Sequence, residues 1–188
     1  MSETMRAFTT WVKGDHVNRR GNFRGYAYGI AQARYITRKV FRLVDEQAKK
    51  AGLEPMQHQA LIQIYRDSDT RMPVNKVAER LDIAPAFASR LIKELEVKGL
   101  IYRQPLPGDK RVICVAAADA GIALLREIDD AVHVHVSYFQ SQLSDEDRLA
   151  ALAIYAFYVG LEGDSSLAIA IRQSLGDLEA HEAPSAVS

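Results

Sequence analysis

The stretch from Pro73 to Ala118 constrains the fold more than any other part of this chain. "PVNKVAERL" and "APAFASRLIKELEVKG" are two short amphipathic patterns separated only by "DIA". Val77, Ala78 and Leu81 give the first an apolar face. Phe87, Leu91 and Leu95, widened by Ala88 and Ile92, give the second its own, and Gly99 is a stop signal at its end. "LIYRQPL" and "RVICVAA" follow, β-branched and apolar, around a Pro-Gly-Asp turn, and this pattern predicts a hairpin. Two short helices followed at once by a hairpin make a winged helix-turn-helix. In that motif the second helix enters a major groove and the hairpin reaches sideways along the duplex.

The second helix suits that task. The arc opposite its apolar face carries Pro85, Ala86, Ser89, Arg90 and Lys93. Small residues at the helix start permit close approach, Arg can read guanine through two hydrogen bonds, and Lys can pair with phosphate. Many solvated helices also expose Ser, Arg and Lys, so the face gains its meaning from the hairpin beside it. That hairpin is tipped by Asp109, Lys110 and Arg111. An Arg at such a tip fits a narrow minor groove, and Asp109 can hold it extended.

The remaining pattern is helical. Ile36, Val40, Leu43, Val44 and Ala48 recur at helical spacing from Tyr26 to about Lys50, and Pro55 opens a second helix, "MQHQALIQIYRD". "SDTRMP" reads as a loop. Asp119 can cap a long helix to about Gln142, and Ser144 with Asp147 has capping-box spacing for another reaching about Leu161. "SSLAIAIRQSLGDLEA" reads as one more helix before a frayed tail, "HEAPSAVS". The expected fold is mainly α with a small β-hairpin wing. Its expected parts are a basic extension (1–25), a helical dimerisation region (26–54 and 119–175), a DNA-binding winged helix-turn-helix (55–118) and a tail (176–188).

Composition narrows the function. The chain has 188 residues, 48% of them hydrophobic and 26% charged, as ordinary globular proteins do. Its net charge is zero, yet residues 1–50 hold eleven Lys and Arg against four Asp and Glu, and residues 119–188 hold three against twelve. A balanced total therefore leaves room for an anionic partner, because the local field decides. The start lacks the apolar core of a signal peptide, Leu149 to Leu161 is too short to span a bilayer, and the single Cys114 cannot form an internal disulfide. A cytoplasmic protein without membrane contact is expected. There is no phosphate-cradling Gly loop, nucleophile elbow or HExxH helix, so an enzyme is not expected. His16, His58, His133, His135 and His181 are scattered, and neither a metal nor any cofactor is expected. Nothing beside Cys114 promises a lowered pKa, so it reads as structural.

From about Ala27 to Leu161 the chain resembles the MarR family of bacterial transcription regulators. "VNKVAERLDIAPAFASRLIKELEVKGLIYRQPLPGDKRVICVAAADAG" carries the resemblance. Within it, "ASRLIKELEVKGLIYR" resembles the recognition helix and first wing strand, and "GDKR" the wing-tip Asp-x-Arg pattern. The resemblance implies a homodimer with interlocked first and last helices, binding a pseudo-palindromic double-stranded DNA operator. It implies that Ser89, Arg90 and Lys93 serve the major groove and Arg111 the minor groove, with Asp109 in support. Phe87 and Ala88 depart from the smaller or β-branched polar residues usual there, and Ala117-Ala118 from the usual Leu-Thr, so individual base contacts do not carry over.

Family members commonly answer to small phenolic or carboxylic compounds, which implies a ligand-responsive regulator, a repressor by analogy. Arg34, Arg38 and Arg42 form a ridge on the first helix, with Tyr26, Tyr28 and Tyr35 near its start and His58 and Tyr65 on the next. These suit an anionic aromatic effector; with Lys13, Arg19, Arg20 and Arg24 they also suit an acyl-CoA thioester. The plainer alternative is an Arg ridge that is solvated or paired with the acidic C-terminal part. The competing function is a winged-helix protein-interaction module that binds no DNA.

Overall fold

The computed structural model describes residues 20–66, 72–106 and 109–160, with the backbone alone at 109–111. Trp11, Lys13, Arg19, the 107–108 turn, the helix expected in "SSLAIAIRQSLGDLEA" and the tail lie outside the described residues. The element order is α1 (Phe23–Lys50), α2 (Pro55–Arg66), β1 (Met72–Pro73), α3 (Val74–Leu81), α4 (Pro85–Val97), β2 (Ile101–Leu106), β3 (Asp109–Ala117), α5 (Asp119–Ser141) and α6 (Asp145–Tyr158). No helix among the described residues is long and apolar enough to cross a membrane.

The architecture is mainly α with a small antiparallel sheet. One expectation needs correction: the end of "SDTRMP" is a strand. Met72 pairs with Val115 and Pro73 with Cys114, so the sheet has three strands in the order β1-β3-β2. Its two residues are too short for any periodicity. Their pairing is decided by contact with a strand some forty positions away. Pro73 is tolerated because this strand sits at the sheet edge, where a missing N–H costs no ladder bond.

The chain divides into two compact units. In the unit of residues 41–138, Leu61, Ile64, Met72, Ile92, Leu95 and Val115 meet in a core with almost no solvent exposure. α3 ends in Asp82, whose left-handed conformation (φ 50°) turns the chain sharply; its N–H reaches the Ala78 and Glu79 carbonyls. Asp is among the few side chains that adopt this conformation readily. Ile83 and Ala84 then lead into α4. At the far end of α4, Gly99 has φ +71°, and this left-handed residue ends the helix and turns the chain towards β2. Leu100 then accepts a hydrogen bond from the Ala118 amide (3.0 Å) at the point where β3 gives way to α5. The wing is thereby tied back to the root of the next helix.

In the other unit, Ala33 of α1 packs with Ala151 and Ile154 of α6, and Tyr26, Ile30 and Ile36 close the edge of the cluster. The Tyr155 hydroxyl donates to the Ala33 carbonyl (3.2 Å), and the Tyr28 hydroxyl to Asp147 (2.8 Å). α6 opens with the capping box expected from Ser144 and Asp147.

Candidate nucleic-acid interface

α4 is built to keep one side in the core and offer the other. Ala88, Leu91, Ile92 and Leu95 are buried, while Pro85, Ala86, Ser89, Arg90 and Lys93 are all exposed. Pro85 occupies the first helical turn, where its missing N–H costs nothing. Ala84 precedes it in extended conformation with no side-chain cap, and no acidic residue lies in the first turn. The helix therefore begins with uncapped amides and two small side chains, an arrangement that lets an anion approach closely.

Arg90 is held by its neighbours. Its guanidinium carbon lies 4.8 Å from the centre of the Phe87 ring, over its face. Its Nε is 3.7 Å from Glu94 Oε1. The other Glu94 oxygen accepts a hydrogen bond from Gln57 Nε2 (2.8 Å), and Gln57 is 5% exposed. Gln57 Oε1 accepts in turn from Lys98 Nζ (2.9 Å), whose other bond goes to the Gly52 carbonyl (2.7 Å). The helical pattern puts Phe87 on the apolar face and marks neither Gln57 nor Glu94. The Phe87–Arg90 and Arg90–Glu94 spacings are legible on a helix. The Gln57–Glu94 bond, across 37 positions, is not.

The wing follows directly. β2 and β3 pair from Ile101–Ala117 to Pro105–Ile113, and the register shifts before Leu106 meets Asp109. Asp109, Lys110 and Arg111 thus open β3 at the tip of the hairpin, and their side chains lie outside the described residues. Arg103 on β2 pairs with Glu96 on α4 at 2.8 Å, joining the wing to the end of the outward-facing helix. Cys114 is fully buried in β3.

The same unit contains a cavity of about 410 Å³. His58, Tyr65, Arg126, Asp129 and Asp130 line it beside aliphatic side chains. His58 is 4% exposed and its Nδ1 has no hydrogen-bond partner. Burial pushes its pKa below the ordinary imidazole value, opposed by the Asp45 carboxylate. Of the residues the sequence nominated for a ligand, this cavity joins His58 and Tyr65. Arg42 lies in the same unit but outside the lining, exposed and paired with Glu46 at 2.9 Å. Tyr26, Tyr28, Arg34, Tyr35 and Arg38 belong to the other unit. There Arg34 and Arg38 are exposed, and Tyr35 meets Phe139 edge-on at 5.9 Å. No sequence pattern marks Arg126, Asp129 and Asp130, because only the fold brings α5 beside His58 and Tyr65 of α2. Among the described residues, no three His, Cys, Asp or Glu side chains cluster as metal ligands would.

Residues 51–112 match the model of the MarR family. The HTH-type transcriptional regulator MhqR of Bacillus subtilis is 28% identical over 98 residues, 52% of this chain and 66% of that one, just under two thirds of its length. The HTH-type transcriptional repressor MdtR of the same organism is 28% identical over 111 residues, 59% of this chain and 70% of the relative. Among solved structures, the Staphylococcus aureus MepR–DNA complex superposes with a TM-score of 0.51 at 23% identity, over 68% of this chain and 94% of MepR. That last likeness is one of fold.

Proposed function

This chain belongs to the MarR family of winged helix-turn-helix proteins, and from that premise we propose that it is a transcription regulator that binds double-stranded DNA as a homodimer. One observation carries the reading. Pro85, Ala86, Ser89, Arg90 and Lys93 share the exposed side of a helix whose other side is core, and a wing tied to that helix follows it. In this reading α4 enters the major groove, where Arg90 reads a base and Lys93 meets phosphate. Arg111 enters the adjacent minor groove, supported by Asp109. A two-fold dimer presents two such units to half-sites about 34 Å apart, and repression follows from occupying the operator.

The effector is a small aromatic acid seated in the cavity against Arg126 and His58. A volume of about 410 Å³ suits a compound of one or two rings. A CoA thioester, with its nucleotide and long pantetheine arm, is too large for that volume. Binding there releases DNA if it shifts the population away from the half-site spacing.

The test is fluorescence anisotropy of the full chain on the DNA upstream of its own gene, at two salt concentrations, with aromatic acids then titrated in. Affinity should fall steeply with salt, because each neutralised phosphate releases counterions. Arg111→Ala should cost about 1–3 kcal/mol in operator affinity and leave the dimer intact. Absence of binding, or affinity indifferent to salt, would replace this reading with the protein-interaction module.

A further inference from the structure

We infer that Phe87 and Glu94 are positioning residues that set Arg90 to read one base pair, with Glu94 tied by Gln57 to the helix behind. The inference rests on the DNA-binding reading above and goes beyond it. It concerns residues the sequence assigned to the core or did not single out.

A long exposed Arg on a helix samples many rotamers, and reaching a base from that ensemble costs conformational entropy. Here two neighbours act on different parts of one guanidinium. The Phe87 ring lies under its face at 4.8 Å. Glu94 meets the guanidinium at Nε, 3.7 Å away, and the two terminal amino groups lie beyond that nitrogen. Those two amino groups form the donor pair that matches O6 and N7 of guanine. Phe87 is half-buried, and its ring has two side-chain torsions to order, against four for an Arg. Glu94 is restrained by its 2.8 Å bond from the buried Gln57, itself held by Lys98 at 2.9 Å. The Arg90 and Glu94 side chains are 68% and 42% exposed, so their pairing adds little stability. Its effect is on direction.

The experiment selects bound duplexes from a library with a randomised central stretch, using the full parent chain and the variants Arg90→Ala, Phe87→Leu, Phe87→Tyr and Glu94→Gln. Sequencing reads the base preference at each position. Arg90→Ala is expected to erase a preference of about tenfold or more at one G·C pair. Phe87→Leu and Glu94→Gln should weaken the preference at that same pair about threefold and leave the others unchanged. Phe87→Tyr, which keeps the ring, should restore it. Thermal melts verify folding, and the isosteric Glu94→Gln carries the test should Phe87→Leu not fold.

A selected motif that Arg90→Ala relaxes while Phe87→Leu and Glu94→Gln leave it intact overturns the positioning role and spares the DNA-binding reading. Uniform weakening by Arg90→Ala makes Arg90 a phosphate contact and also overturns it. Retention of duplexes without any selected motif also overturns it, and failure of the parent to retain any duplex removes the DNA-binding reading itself.

Discussion

Gly121 lies where α5 passes the carbonyl of Leu100, and a Cβ there would collide with that backbone oxygen. Backbone cannot move aside as the end of a side chain can. Leu100 is further pinned by the Ala118 amide. Gly121→Ala is therefore expected to destabilise the fold by about 1–3 kcal/mol despite the better helix propensity of Ala, read as a lower urea midpoint. In the sequence Gly121 is one glycine near a helix start, with nothing to mark the close approach. Phe87 teaches a related lesson. A helical wheel assigns each residue to one side, whereas the half-buried Phe87 ring sits at the boundary and carries a guanidinium on its face.

At the scale of elements, those defined by neighbours in sequence were legible. Ser144 Oγ accepts the Asp147 amide at 3.1 Å, and Asp147 accepts the Ser144 amide at 3.3 Å, as the three-residue spacing foretold. The Ser144 hydroxyl, the Tyr28 hydroxyl and the Ser144 amide together hold the Asp147 carboxyl below the usual carboxylate range. Ser144→Ala is expected to cost about 1 kcal/mol, read as a lower melting temperature with unchanged helix content in the folded state. The helix-turn-helix and its hairpin were legible for the same reason, since short connections leave little freedom of arrangement. β1 was not, because Met72 and Pro73 become a strand only by pairing with Val115 and Cys114.

At the scale of the whole molecule, burial of His58 couples stability to pH. Its folded pKa is depressed, chiefly by burial. Above the ordinary imidazole value of about 6.5 both states are neutral there and its contribution is intact. Below that value the unfolded chain takes up a proton that the folded chain resists, so stability is lost as pH falls towards the depressed folded value. Denaturant midpoints measured from about pH 7.5 to 5.5 should fall in the parent and fall less in His58→Met. A parallel decline in both would assign the effect to other groups. Asp129 and Asp130 share the cavity with His58, so a ligand that hydrogen-bonds Nδ1 there should also shift this titration.

Local pattern was enough for α1 to α6, the turn between α3 and α4, the paired strands of the wing and the outward side of α4. Each depends on periodicity, capping or turn chemistry acting over a few residues. Tertiary structure alone decided the third strand, the union of His58 and Tyr65 with Arg126 and the two aspartates, and the bond from Gln57 to Glu94 behind Arg90. Those features join residues far apart in the chain. Their energies exist only once the core has brought the partners within a few ångströms, and no local pattern records that approach.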